Sequence, residues 1–288
     1  MNQLFATDKL KELYPKIKIF VEEELYPTEL HLLQDDWSET ALTLASKREK
    51  AKSLGIWAPH LSEEEGGQGL SMTEFGQISE LLGTSVIGHY VLNCQAPDIG
   101  NMELLHQFAN EDLKGRYLKP LMDGEIRSCF GMTEPEFAGS NPVNMATTAV
   151  FVGDEIVLNG HKWFTTAADG ATFCVVMAVT DATADPYARA SMVLVPTDAP
   201  GFELVRNIPI MGDSGGGYFS HAEIRLHDVR VPKNHLIGEV GQGFKMAQYR
   251  LGPGRIHHCM RWIGVCERAF DMMCQRAASR ELGNGKKL

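Results

Sequence analysis

Between Cys129 and Gly238 the chain runs through short segments rich in Val, Ile, Thr and Phe, each closed by a turn, with no long helical stretch between them. The segments are Ala149-Val-Phe-Val152, Ile156-Val-Leu158, Ala171 to Val179, Ala190 to Pro196, Phe202 to Val205 and His221 to Leu226. Runs spaced in this way predict an antiparallel sheet or barrel. They argue against a doubly wound dinucleotide fold. Gly212 and Gly215 to Gly217 also lack the strand-glycine-helix order of a phosphate loop.

The flanks have a different period. Leu10, Leu13, Ile17, Phe20, Val21 and Leu25 recur at three and four residues, the spacing of an amphipathic helix, and residues 8 to about 127 read as helices, broken by the loop Leu61 to Leu70. A second helix is expected from Trp37 to about Leu54. A third starts at Ser71-Met-Thr-Glu74, a capping box, and two more cover Asn101 to Phe108 and Glu111 to Met122. The run Glu63 to Glu65 reads as a solvated loop. Gly241 opens a last helical region, which after a turn at Gly252-Pro253-Gly254 continues through Ile256, Met260, Ile263, Val265, Ala269, Met272 and Met273. The expected class is α+β, divided into a helical domain (1–127), a β domain (128–240) and the start of a C-terminal helical domain (241–288).

A chain of 288 residues with 44% hydrophobic content can bury more than one core. Its net charge of −10 gives no electrostatic reason to expect nucleic acid or an anionic membrane surface. Six cysteines without C-x-x-C spacing (Cys94, Cys129, Cys174, Cys259, Cys266, Cys274) point to reduced, mostly buried thiols rather than disulfides or zinc. No apolar run is long enough to cross a membrane, and the first residues lack a targeting pattern, so a cytoplasmic enzyme is expected.

Two stretches carry the chemistry. Phe130-Gly-Met-Thr-Glu-Pro-Glu-Phe-Ala-Gly-Ser140 can offer the hydroxyls of Thr133 and Ser140 and turn N–H groups to a polar ring bearing phosphate. Gly160-His-Lys-Trp-Phe-Thr-Thr166 reads as strand, and period-2 alternation would put Trp163 and Thr165 on one face, an apolar wall beside a hydrogen-bonding group. Taken one at a time, a strand tryptophan reads as core and a Thr-Glu-Pro as a turn.

Together, in this order, they resemble the flavin-binding signature of the acyl-CoA dehydrogenase family. The likeness extends over nearly the whole chain, through Ala96-Pro-Asp-Ile-Gly-Asn-Met102, His227-Asp-Val-Arg-Val-Pro232, Gly241-Gln-Gly-Phe244 and Leu251-Gly-Pro-Gly-Arg-Ile-His-His258, and is strongest to the branch with members ten and eleven. The resemblance implies FAD as cofactor, an acyl-CoA substrate, an electron-transfer flavoprotein as acceptor, a role in fatty acid β-oxidation, and a homodimer or homotetramer. It assigns Phe130, Met132, Thr133, Ser140, Trp163, Thr165 and Arg280 to the flavin, with Arg280 serving a neighbouring subunit. Ser140 and Arg255 fall to the acyl-CoA.

This sequence departs from the family pattern at Asn141, where Asp is usual, and at Gly283, where an aromatic is usual. The family's catalytic glutamate is expected beyond Leu288, in a bundle this chain does not carry. A minority of members place it where Gly254 stands here. Glu134 reads as a turn residue rather than a replacement base. His257 and His258, about 100° apart on a helix, cannot share a metal. The catalytic residue is thus left open, and the 288-residue chain alone is expected to be inactive. The alternative is a non-catalytic flavin or acyl-CoA binding module, or a subunit that pairs with a complete partner.

Overall fold

The computed structural model describes residues 6–32, 37–283 and 286–287. The first amphipathic segment becomes α1 (Asp8–Phe20), a π turn at Val21–Leu25 and α2 (Tyr26–Leu32) without a break. Leu10, Leu13, Ile17, Phe20, Val21 and Leu25 are all buried, as their spacing requires. Then follow α3 (Trp37–Ser53), α4 (Met72–Gly83), α5 (Gly88–Val91), α6 (Asp98–Phe108), α7 (Glu111–Leu113) and, after a second π turn at Lys114–Leu118, α8 (Lys119–Met122). The capping box at α4 is complete: Ser71 Oγ accepts from Glu74 N, and the Glu74 carboxylate accepts from Ser71 N.

The strands are β1 (Ser128–Gly131), β2 (Thr148–Val152), β3 (Glu155–Thr166), β4 (Phe173–Val179), β5 (Ala190–Pro196), β6 (Phe202–Asn207), β7 (His221–Pro232) and β8 (Leu236–Ile237). They form one eight-stranded sheet, ordered β6-β7-β3-β2-β4-β5-β8, with β1 also beside β4. The sheet is not wholly antiparallel as expected: β1 runs parallel to β4 along Phe173–Val176, and Thr148 of β2 pairs in parallel with Val179. The two share one edge of β4, β1 at its start and β2 at its end. The chain between them, 132–147, therefore leaves the sheet and returns to the same edge, which makes it a loop anchored at both ends. β4 and β5 are buried on both faces, so their sequences read as continuous apolar runs.

The chain divides into two compact units, Met1–Gln95 with Gly254–Leu288 and Ala96–Pro253. The last helix, α9 (Gly243–Ser279), passes from one to the other. Gly252-Pro253-Gly254 is therefore not a turn. Proline's fixed φ suits a helix, and its cost is one missing N–H and the local crowding of the ring, which one residue in a 37-residue helix can absorb. A short hairpin, β9 (Glu281–Gly283) with β10 (Lys286–Lys287), follows α9.

In the first unit α4 and α9 meet at glycines. A Cβ on Gly83 would lie 2.3 Å from Arg261 O, and one on Gly264 2.0 Å from Glu80 O, so neither position admits a side chain at this spacing. Nearby, His257 is buried with its ring 4.9 Å from that of Phe75, edge to face, and His60 lies 5.8 Å from the same Phe75 ring. His258 is exposed, so the adjacent pair does diverge. Three cysteines (Cys94, Cys129, Cys174) are buried, and three (Cys259, Cys266, Cys274) are exposed on α9, where mostly buried thiols were expected; all six are free. Among the described residues no helix is long and apolar enough to cross a membrane.

Candidate functional site

The loop 132–147 is built on one buried ion pair. Lys162 on β3, with no exposed surface, donates from Nζ to Glu134 Oε1 at 2.7 Å and to the carbonyl of Met132 at 2.9 Å. Glu134 also accepts from the backbone N–H of Ala146 (2.7 Å) and of Thr147 (3.0 Å). One carboxylate thus ties the outgoing arm of the loop to its returning arm and to β3. Burial pushes the Glu134 carboxyl up, but the Lys162 charge and these hydrogen bonds outweigh it and hold the group below its usual value. Burial likewise lowers the Lys162 ammonium, against the opposing pull of Glu134. A carboxylate so engaged is a fastening, as the turn reading of Glu134 holds.

Thr133 and Trp163 are brought together by two hydrogen bonds: Thr133 Oγ1 donates to Trp163 O at 2.7 Å, and Trp163 N–H donates to Thr133 O at 3.1 Å. The hydroxyl proton of Thr133 is therefore committed to β3, and only its oxygen lone pairs remain for a ligand. Ser140 is exposed, and its hydroxyl makes no hydrogen bond among the described residues. Gly139 comes so close to Thr133 that a Cβ would sit 3.0 Å from Thr133 Cγ2, which folds the loop's far end back over its start.

The alternation expected for β3 fails at one point. Lys162 pairs with Ile224 of β7, but the next partners are Thr165 and Ala222, so Trp163 and Phe164 together oppose the single residue Glu223. This is a bulge. Ile224 and Ala222 face the same core, so Thr165 joins Lys162 on that face, and Trp163 lies on the other, not with Thr165 as period-2 alternation implied. Phe164 takes φ +48°, a left-handed conformation that a bulky residue rarely adopts, and the residue is 44% exposed. Thr165 is fully buried, and its hydroxyl has no hydrogen-bond partner. A buried hydroxyl left without a partner costs on the order of 1–3 kcal/mol, so it marks a place that a ligand atom would complete.

Phe130, half-buried on β1, has the guanidinium of Arg250 4.1 Å from its ring centroid. Met132 is half-buried and contributes its carbonyl to Lys162. Phe130, Met132, Thr133, Ser140, Trp163 and Thr165 thus all lie on β1, on β3 or in the loop between β1 and β2. Arg255 and Arg280 belong to the other unit, exposed on α9 and just after it. The sequence alone assigns Lys162 no role and does not single out Arg250. For Lys162 a signal existed: it shares the parity of Ile156 and Leu158, both buried, and a lysine at an inward strand position needs a buried counter-charge.

Models of the acyl-CoA dehydrogenase N-terminal, middle and C-terminal domains match residues 7–125, 129–229 and 241–288 in turn. A solved acyl-CoA dehydrogenase structure from Mycobacterium abscessus superposes with a TM-score of 0.92 at 39% identity, over 99% of this chain and 73% of that one. The chain belongs to the acyl-CoA dehydrogenase family. Within it, mouse acyl-CoA dehydrogenase family member 10 is 41% identical over 94% of this chain, and chicken member 11 is 38% identical over 99%. The chain spans 26% and 38% of the length of those two relatives. This acyl-CoA dehydrogenase domain set has the family's helix-sheet-helix order, and the loop 132–147 lies inside the matched middle domain.

Proposed function

We propose that the protein is an FAD-dependent oxidoreductase that removes hydrogen from the α and β carbons of an acyl-CoA thioester. The observation that carries the reading is the buried, unpartnered Thr165 hydroxyl, set one residue beyond a strained bulge and behind a loop fastened by Glu134 and Lys162. It is a rigid polar cradle short of one hydrogen-bonding atom, and a flavin edge supplies such atoms. FAD, when bound, supplies the acceptor for the β-hydrogen as hydride. Phe130 and Met132 would pack on the ring, and Trp163 would line its edge where β3 bulges. Thr133 would accept a hydrogen bond, Thr165 would donate one, and Ser140 would reach the pyrophosphate or the acyl-CoA. Arg255 would meet the CoA portion and Arg280 the flavin of a neighbouring copy in a homodimer or homotetramer.

Electrons would then pass to an electron-transfer flavoprotein, in fatty acid β-oxidation. Free thiols exposed on α9 fit a reducing compartment such as the cytoplasm. Proton removal needs a positioned carboxylate. Glu134 already serves as the loop's fastening, and Gly254 has no side chain, so the 288-residue chain alone would bind the cofactor without efficient turnover.

The test is one preparation followed in two steps. Protein purified from a flavin-replete host should be yellow and release FAD, not FMN, on denaturation; a colourless chain that takes up no added FAD sinks the reading. Anaerobic addition of saturated acyl-CoA esters should bleach it slowly or not at all. Rapid bleaching that Glu134→Gln abolishes would make Glu134 the base.

A further inference from the structure

Arg250 lies on α9 within the unit that holds the loop, and its guanidinium is fixed on three sides. It stands 4.1 Å from the centroid of the Phe130 ring, its Nε donates to Asn101 Oδ1 at 3.0 Å, and an Nη donates to the carbonyl of Pro97 at 3.2 Å. The holders are themselves held. Asn101 donates to Ser128 Oγ (2.8 Å) and Cys129 O (3.1 Å), and Asp98 accepts from Ser128 N (2.8 Å) and Ser128 Oγ (2.5 Å). Asp98, Asn101 and Ser128 are buried. Gly100 leaves the guanidinium its room: a Cβ there would come within 3.1 Å of three Arg250 atoms. Burial lowers the Arg250 pKa to about 10, against the pull of Glu103 and Asp98, so the group keeps its charge at neutral pH.

We propose that Arg250 is a positioning residue for the cofactor. It holds the Phe130 ring stacked at the start of the loop before FAD arrives, so that affinity depends on the Arg250–Phe130 pair. The inference rests on FAD occupying that loop. A half-buried phenylalanine at a loop entrance would otherwise lose rotamer freedom when the ligand packs on it, and a ring already held by a cation has less to lose. Nothing else in the loop holds this ring in the same way. Thr133, Glu134 and Lys162 fix backbone, whereas Arg250 fixes the side chain that faces the bound group.

FAD dissociation constants of the full chain, with Arg250→Met, Phe130→Leu, the double variant and Arg250→Lys, decide it. Arg250→Met should weaken FAD by about 2- to 30-fold, the range of a desolvated cation–π contact. The double variant should be little weaker than the worse single one, and Arg250→Lys, which keeps a cation over the ring, should recover part of the loss. An unchanged dissociation constant in Arg250→Met overturns the inference while leaving the FAD reading intact. So do fully multiplicative losses, or a loss that follows the melting temperature with no recovery in Arg250→Lys. If Arg250→Met does not fold, Gly100→Ala crowds the guanidinium and leaves Phe130 in place: weaker FAD supports the pair, and parent-like affinity overturns it. A parent chain that binds no FAD sinks the cofactor reading and this inference together.

Discussion

Lys162 carries its ammonium into the interior, where it donates to the carbonyl of Met132 and the carboxylate of Glu134, and Thr165 brings a hydroxyl to the same face without any partner. The first group has a counter-charge and two acceptors and the second has no partner at all, which sets a fastening apart from a candidate ligand contact within one strand. Thr165→Val keeps the shape and removes the hydroxyl. Because the free protein then no longer buries an unmet polar group, the variant should be as stable as the parent or more so, while FAD binding should weaken by about 0.5–1.5 kcal/mol, the worth of one hydrogen bond. Thermal melting of the flavin-free chain and titration with FAD check the two halves. Equal FAD affinity would return Thr165 to a purely structural role. Motif order singles out Thr165, but its orientation was not legible, because orientation depends on the bulge at Trp163 and Phe164, and no residue type there announces one. Phe164 at φ +48° is the opposite of what a sequence reader expects at a left-handed position. Arg250 was illegible for a different reason: it is separated by 120 residues of chain from Phe130, and only the fold places them in contact.

At the scale of elements, the helices and strands that read clearly were those whose apolar period is decided by one buried face. α1 buries every residue its three-four spacing selects, α4 begins at its capping box, and β5 spans Ala190–Pro196 as its composition indicated. Gly252-Pro253-Gly254 misled because glycine and proline are turn residues by propensity, yet a helix with buried residues on either side of them, Met246 and Ala247 before and His257 and Gly264 after, tolerates them, and tertiary contacts outweigh about 1 kcal/mol per glycine. β1 against β4 was missed as a parallel pair because four residues, Ser128–Gly131, show no period at all. The contact of α4 with α9 was also invisible, although Gly83 and Gly264 make it. With Gly264 Cβ placed 2.0 Å from Glu80 O, the two helices must separate to admit even a methyl group. Gly264→Ala would gain helix propensity but should still destabilise the first unit by about 1–3 kcal/mol, the range for overpacking a close contact. Urea unfolding measures this, and a variant as stable as the parent would mean that the helices do not approach so closely.

The whole molecule carries a net charge of −10 but conceals its acid sensitivity in neutral groups. Both ring nitrogens of His60 are buried without a hydrogen-bond partner, and burial, with a smaller contribution from the charge of His257, pushes its pKa down to about 3. His89, which shares a 2.8 Å hydrogen bond with Ser79, is also pushed well below the usual range, first by burial and then by Arg261, His257 and His258. In the unfolded chain such rings titrate near 6.5. Above that pH both states hold them neutral, and they have no effect on stability. As pH falls below about 6.5 the unfolded chain takes up protons that the folded chain excludes, so stability declines, and for His60 it goes on declining until about pH 3. Each excluded proton contributes a slope of about 1.4 kcal/mol per pH unit. The depressed carboxyls Glu134 and Glu74 act in the same direction, but only once pH drops through their ordinary value of 4.5 and below. Glu80, whose carboxyl is raised first by burial and then by Glu267, acts the other way between pH 6.5 and 4.5, but it is common to parent and variant, so the difference between the two across that interval isolates His60. Urea midpoints measured across it should fall steadily for the parent and less steeply for His60→Phe, which keeps a ring against Phe75 and cannot bind a proton. Parallel curves for parent and variant would show that His60 takes up its proton without unfolding the helices around it.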